Sequence, residues 1–181
     1  MLSLNFTPFP VLTTERLVLR QLEASDAPAL SELRSIESVN LYVDRPKTLS
    51  VGEAQARIET LNNYLDTGSA INWVICLKGN SQLIGTVCFF NFNNQHNSAE
   101  LGYELHPHHQ GKGIMAEAIA AVIDYAVNTM QVQMLEAVIH PDNEKSLNLA
   151  RRFKFVRNEA AKERIGQADL KGLHVYTMSL P

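Results

Sequence analysis

Residues 100–115, ELGYELHPHHQGKGIM, constrain this chain more than any other stretch. Ala99, Leu101, Tyr103 and Leu105 alternate with Glu100 and Glu104, which predicts a strand ending at Leu105. A polar loop containing Gly111 and Gly113 follows. An amphipathic helix then starts near Gly113, with Ile114, Ala118, Ile119, Val122, Ile123 and Ala126 facing inward. Backbone N–H groups in such a loop and in the first helical turn have no internal partner, and the helix dipole adds positive potential there. The glycines permit unusual dihedrals and close approach of a ligand, and Lys112 adds charge. The segment is therefore a candidate phosphate or pyrophosphate site. It is not a Walker loop, because His106 stands at the first glycine position of GxxxxGK. It is not the dinucleotide fingerprint either, because Ala116 replaces the last glycine of GxGxxG.

The rest of the chain alternates in a way that suits one α/β domain spanning residues 1–181 around a single sheet. TERLVLRQL, residues 14–22, predicts a first strand, and Ser25 is a capping candidate for a helix through Leu30 and Leu33. Ser50 and Glu53 stand in a capping-box arrangement ahead of Ile58, Leu61 and Leu65 at helical spacing. The run INWVICLKGNSQLIGTVCFFNF predicts a hairpin turning at Lys78–Ser81. MLEAVIH is a further strand, NEKSLNLARRF a short helix and HVYTMSL a late strand. The element order is β-α-α-β-β-β-α-β-α-β-β, with no repeat or linker to divide it.

Composition excludes several function classes. Sixteen basic against 19 acidic residues, a net charge of −3, give no electrostatic case for direct nucleic-acid binding or for lying on an anionic membrane. No apolar run reaches the roughly 20 residues of a membrane helix, and the opening MLSLNFTPFPVL lacks the basic start of a secretory signal, so a cytoplasmic protein is expected. Cys76 and Cys88 sit in apolar runs and read as buried thiols in a reducing compartment. His106, His108 and His109 form an H-x-H-H cluster, but the cysteines are remote and no acidic ligand sits at helical spacing, so no metal is expected.

The segment His108-His-Gln-Gly111-Lys-Gly113 resembles motif A of the GNAT acetyltransferases, (Gln/Arg)-x-x-Gly-x-(Gly/Ala), with His108 where glutamine or arginine is usual. A second motif, an Asn followed by a hydroxyl residue and later by an aromatic after glycine, falls on Asn143, Ser146 and Phe155. Lys154 stands where that glycine is usual, and Ala150 where some members have a tyrosine. With the opening TERLVLR and the tail, the chain is similar to the Rim-type branch, which acetylates protein N-terminal amines.

The resemblance implies a mixed, mostly antiparallel central sheet flanked by helices, with a V-shaped opening between two parallel strands, here SAELGYEL and MLEAVIH. It implies acetyl-coenzyme A as cosubstrate. The pantetheine arm would lie along backbone near Tyr103, Leu105 and His106. The pyrophosphate would take amides from His109, Gln110, Gly111, Lys112, Gly113 and Ile114, with His108 tuning the contact and Asn143 and Ser146 adding others. Glu100 is the better candidate for the base and Glu104 the alternative. A backbone N–H near residues 103–105 would hold the oxyanion. Asn143, Ser146 and Ala150 share a helix face, and Ser146 is the candidate acid, or else a capping or coenzyme-contacting hydroxyl. Acceptor recognition is expected on residues 41–49 and 160–171, with Asp44 and Glu163 as possible attractors of a cationic N-terminus. Three functions stand open: acetylation of a protein N-terminus, acetylation of a small amine such as a polyamine, amino acid or drug, and non-catalytic acyl-CoA binding. A monomer or homodimer is equally compatible with the sequence.

Overall fold

The protein is described by a computed structural model covering residues 1–46, 49–162, 170 and 172–181. Eight strands form one sheet: β1 (Leu12–Thr13), β2 (Leu17–Arg20), β3 (Ile71–Leu77), β4 (Gly85–Asn93), β5 (Ser98–Leu105), β6 (Met134–Ile139), β7 (Val156–Arg157) and β8 (His174–Ser179). Their spatial order is β1-β2-β3-β4-β5-β6-β8-β7. All described pairings are antiparallel except β5 with β6.

That parallel pair is short. Its register runs Ser98↔Met134, Ala99↔Leu135 and Glu100↔Glu136 and goes no further. β5 continues to Leu105 against β4, and β6 to Ile139 against β8. The two strands therefore part just beyond Glu100 and Glu136, and the expected V-shaped opening is present. Where two neighbouring strands stop pairing, the inner-edge N–H and C=O groups lose their ladder partners and become available to a ligand.

Among the described residues five α-helices cover the sheet: α1 (Ala27–Ser35), α2 (Glu37–Asn40), α3 (Val51–Asp66), α4 (Ile114–Tyr125) and α5 (Glu144–Arg152). α4 packs Ile114, Met115, Ala118, Ile119 and Val122 against Ile71, Trp73, Ile75, Val87 and Leu101 on one face. On the other face α1 and α3 bury Leu30, Leu33, Ala54, Ile58 and Leu61 against Val74 and Cys76. β3 is thus apolar on both sides, as a central strand must be. The Trp73 indole donates to the Pro10 carbonyl at 2.8 Å, satisfying its one polar atom within the core.

Sequence signals and structure part company at three places. The Ser50–Glu53 capping box forms as expected, with Glu53 N donating to Ser50 Oγ at 3.2 Å and Ser50 N to Glu53 Oε2 at 2.8 Å. Ser25, however, caps nothing. The residue at the start of α1 is Asp26, whose buried carboxylate holds Arg20 at 2.7 Å and accepts from Glu23 N. The hairpin connection is also longer than expected, residues 78–84, because β4 begins at Gly85. A Cβ there would lie 2.5 Å from the Glu104 carbonyl, so only glycine lets β4 meet β5 at that point. Finally, β1 and α2 are too short to leave a periodic trace in the sequence.

Candidate functional site

A cleft of about 1500 Å³ opens where β5 and β6 diverge. One wing is built from β5, the loop after it, the start of α4, and α5. The other is built from α1, α3 and, between them, residues 41–43, 45, 46 and 49.

On the first wing, Gly111 and Gly113 both lie in the left-handed region, at φ 73° and 75°. A Cβ on Gly111 would meet nothing within 4 Å, and one on Gly113 only Arg16 Nη2 at 3.5 Å. Backbone conformation, not crowding, therefore calls for glycine here. Gly113 precedes α4 directly and gives it no side-chain cap, which leaves first-turn N–H donors for an anion. The loop is braced from three directions. Gln110 Nε2 donates to the Leu105 carbonyl at 2.8 Å, Lys145 Nζ to Gln110 Oε1 at 2.7 Å, and Arg16 Nη1 to the Lys112 carbonyl at 2.9 Å. Arg16 is itself clamped by Glu117, Nε to Oε2 at 2.6 Å. Sequence reasoning missed Arg16 and Glu117, because their pairing spans a sequence separation of 101 residues.

His109, Gln110, Gly111, Gly113 and Ile114 line the cleft; His106, His108 and Lys112 do not. A single tight turn, Pro107–His109, carries His108 to the surface. His106 accepts from His108 N and points Nε2 toward Glu32, 3.7 Å away. Burial, with the charges of Lys112, His106 and His108, holds His109 below the usual imidazole range. Among the described residues no group of three or more His, Cys, Asp or Glu is arranged to hold a metal ion.

Tyr103, Leu105, Asn143 and Ser146 all line the cleft. Asn143 caps α5, its Oδ1 accepting from Ser146 N at 3.2 Å, so that side-chain oxygen serves the helix. Burial, opposed by the neighbouring Ser146 side chain, keeps the Tyr103 phenol above its ordinary range, hence protonated. Tyr103 thus brings a second hydroxyl to the candidate acid, a role its strand position did not suggest. Ala150 is buried in the core. Lys154 adopts φ 61°, the left-handed conformation that a glycine after a helix end would supply.

Glu100 and Glu104 sit on the same face of β5, as expected, but their surroundings differ. Glu100 is 4% exposed and its Oε2 accepts from Asn91 Nδ2 at 2.8 Å. Burial pushes its carboxyl up to about 7; the Asn91 hydrogen bond opposes the rise and the neighbouring Glu136 adds to it. Asn91 reaches Glu100 because the β4 register breaks between Phe90 and Asn93 and Asn91 itself is left-handed, at φ 49°. Glu136 was also missed: it is 4% exposed and lies level with Glu100 on β6. Glu104 is gripped by Arg34 at 2.9 Å and Arg45 at 2.7 Å. Burial works against its ionisation, but the two guanidinium groups outweigh it and hold the carboxyl below the usual range.

Of the expected acceptor segments, Leu41, Tyr42, Val43, Arg45, Pro46 and Leu49 line the cleft. Tyr42 stacks on His140 across it, with ring centroids 5.1 Å apart. Asp44 is exposed and does not line the cleft. Glu163 lies outside the described residues.

A sheet that parts beside a glycine-braced helix start, with a carboxylate and a hydroxyl in one cleft, defines a group transferase acting on a phosphate-bearing cosubstrate. The acetyltransferase (GNAT) domain model matches residues 16–156. The N-acetyltransferase p20 of Bacillus licheniformis is 34% identical over 93% of this chain and 94% of its own. The [ribosomal protein uS5]-alanine N-acetyltransferase of Escherichia coli is 30% identical over 84% of this chain and 81% of its own. Among solved structures, RimL, a ribosomal L7/L12 α-N-protein acetyltransferase in complex with coenzyme A, superposes with a TM-score of 0.79 at 22% identity. That match covers 94% of this chain and 98% of the other. The chain belongs to the GNAT acetyltransferase family, and it is an acetyltransferase that draws its acetyl group from acetyl-CoA. No helix among the described residues is long and apolar enough to cross a membrane.

Proposed function

We propose that the protein acetylates the α-amino group of a protein N-terminus, in the cytoplasm, by direct attack of the amine on the acetyl-CoA thioester. The observation that carries this reading is Glu100: a cleft-lining carboxylate held near 7, at the point where β5 and β6 part, in the same cleft as Tyr103 and Ser146. An α-amino group has a reference pKa near 8, so a carboxylate of this strength removes its proton at little cost, directly or through a water. The N–C bond forms as the C–S bond breaks. N–H groups on the open edge of β5 hold the charge that develops on the carbonyl oxygen. The Ser146 hydroxyl, backed by Tyr103, gives a proton to the leaving thiolate. The first-turn amides of α4 and the loop at Gly111 and Gly113 receive the pyrophosphate.

The three departures from the family pattern do not favour the non-catalytic alternative. His108 lies outside the cleft, Ala150 is in the core, and Lys154 takes the backbone conformation its position needs. A polyamine is a poor acceptor for a wing that carries Arg34, Arg45 and Arg57. The test is coenzyme A release with peptides beginning in alanine or serine, alongside calorimetric binding of acetyl-CoA. Gly113→Asp places an anion at the amide cradle and is expected to weaken acetyl-CoA binding at least about tenfold, or ~1.4 kcal/mol. Parental affinity in that variant would sink the pyrophosphate assignment, and polyamine turnover exceeding that of every peptide would sink the acceptor assignment.

A further inference from the structure

The acceptor wing holds one more positive charge than its own carboxylates neutralise. Arg34 and Arg45 converge on the single carboxylate of Glu104. Arg57, on α3, lines the same cleft, is half-buried, and makes no ion pair among the described residues. The other acids of this wing are committed elsewhere. Glu53, one turn back on α3, accepts at Oε2 from Ser50 N at 2.8 Å and from Ser50 Oγ at 2.6 Å. Glu100 is buried against Asn91 and is neutral in a large part of the molecules near pH 7. Burial and the charge of Arg34 both work against the Arg57 cation, and Tyr64, Cys88 and Glu104 only partly offset them.

The position of Arg57 bears on substrate. It shares the cleft lining with Cys88 of β4, which pairs with Gly102 of β5. Gly102 is two residues from Glu100 along a strand, a separation of about 7 Å. An extended acceptor whose amine sits at Glu100 would therefore bring its next one or two residues toward Arg57. A guanidinium presents a planar fork of donors that matches a carboxylate, and in a half-buried cleft such a pair is worth more than on the surface.

We propose that Arg57, with Arg34 beside it, receives a carboxylate of the acceptor, so that preferred acceptors carry an acidic group within one or two residues of the reacting amine. The same cationic wing disfavours protonation of the incoming amine and so helps keep it in the attacking form. The inference rests on the acetyl-transfer reading above and names the acceptor class within it. An acidic side chain at the second or third residue of a peptide, or the α-carboxylate of a free amino acid, presents the same chemistry.

The test compares matched peptides Ala-Asp, Ala-Asn and Ala-Lys with a common tail, and free amino acids with their amides. Both kcat/KM and the Kd for the protein saturated with coenzyme A are measured. The acidic peptide is expected to be favoured about tenfold over its amide match, mainly through KM, and the lysine peptide to be poorest. Arg57→Gln should collapse the acid-to-amide ratio toward unity, and Arg57→Lys should retain part of it. Thermal unfolding of both variants checks that the fold survives. A larger effect in the amino-acid pair than in the peptides would assign the carboxylate to a free amino acid. Equal values across the peptides and the amino-acid pair, a preference for lysine, or an acid preference that survives Arg57→Gln would overturn the proposal. If no amine released coenzyme A, the acetyl-transfer reading would fail, while the Kd ratios would still decide whether Arg57 binds a carboxylate.

Discussion

Glu100 and Glu104 are one helical turn's worth of sequence apart, lie on the same face of the same strand, and both line the cleft, yet their chemistry runs in opposite directions. Around Glu100 the chain places an amide, a second carboxylate and little solvent, so the neutral acid is favoured and its carboxyl rises to about 7. Around Glu104 it places two guanidinium groups, so the anion is favoured in spite of burial. Desolvation acts on both; the sign of the neighbouring charge decides the outcome. One carboxylate is thereby suited to exchange a proton near neutral pH, and the other ties α1 and Arg45 to the sheet.

The largest effect should come from breaking the anchor. Glu104→Gln leaves Arg34 and Arg45 facing each other without a counter-charge, and is expected to cost about 3 kcal/mol of stability in denaturant unfolding at pH 7. Because the Glu104 carboxyl is depressed, this contribution is complete at neutral pH and fades only in acid. An unchanged unfolding midpoint would mean the two arginines find other partners.

Glu100→Gln should instead lower kcat/KM about 100-fold, the lower end of what a positioned base supplies. It should also stabilise the fold at pH 8. The raised carboxyl means that ionising Glu100 works against the native state, a penalty absent below its usual value of 4.5 and fully present above about 7. At 1.36 kcal/mol per unit the upper bound is about 3 kcal/mol, and the stability gain should vanish in acid. A variant that keeps parental turnover would transfer the base role away from Glu100.

Glu136→Gln gives the smallest change and probes the coupling alone. Removing its charge should lower the Glu100 carboxyl and move the acid limb of the rate profile to lower pH. The gain in kcat/KM at pH 6 should be up to about fivefold, what a one-unit fall from near 7 provides. A profile that does not move would show that burial alone sets Glu100.

Much of this was legible in the chain. The loop at Gly111 and Gly113, the strand with two acids on one face, the capped helix at Ser50 and the approximate element order all rest on neighbours within about four residues, where spacing carries the information. What was not legible depends on residues far apart in sequence. Arg34 is 70 residues from Glu104, Arg16 is 101 from Glu117, and Glu136 meets Glu100 only because β5 and β6 run parallel. Local spacing has no term for such meetings.

The sequence by itself determined the class of the protein: two motifs in their element order specify an α/β acetyltransferase with a glycine-led, uncapped helix start, since these are properties of short segments. The tertiary structure alone decided which of two similar carboxylates has a raised pKa, which expected histidines stay outside the cleft, and that Arg34, Arg45 and Arg57 gather on one side of it. Those follow from burial and from the charges that folding brings within a few ångströms, and the energy of a charge depends on what surrounds it in space.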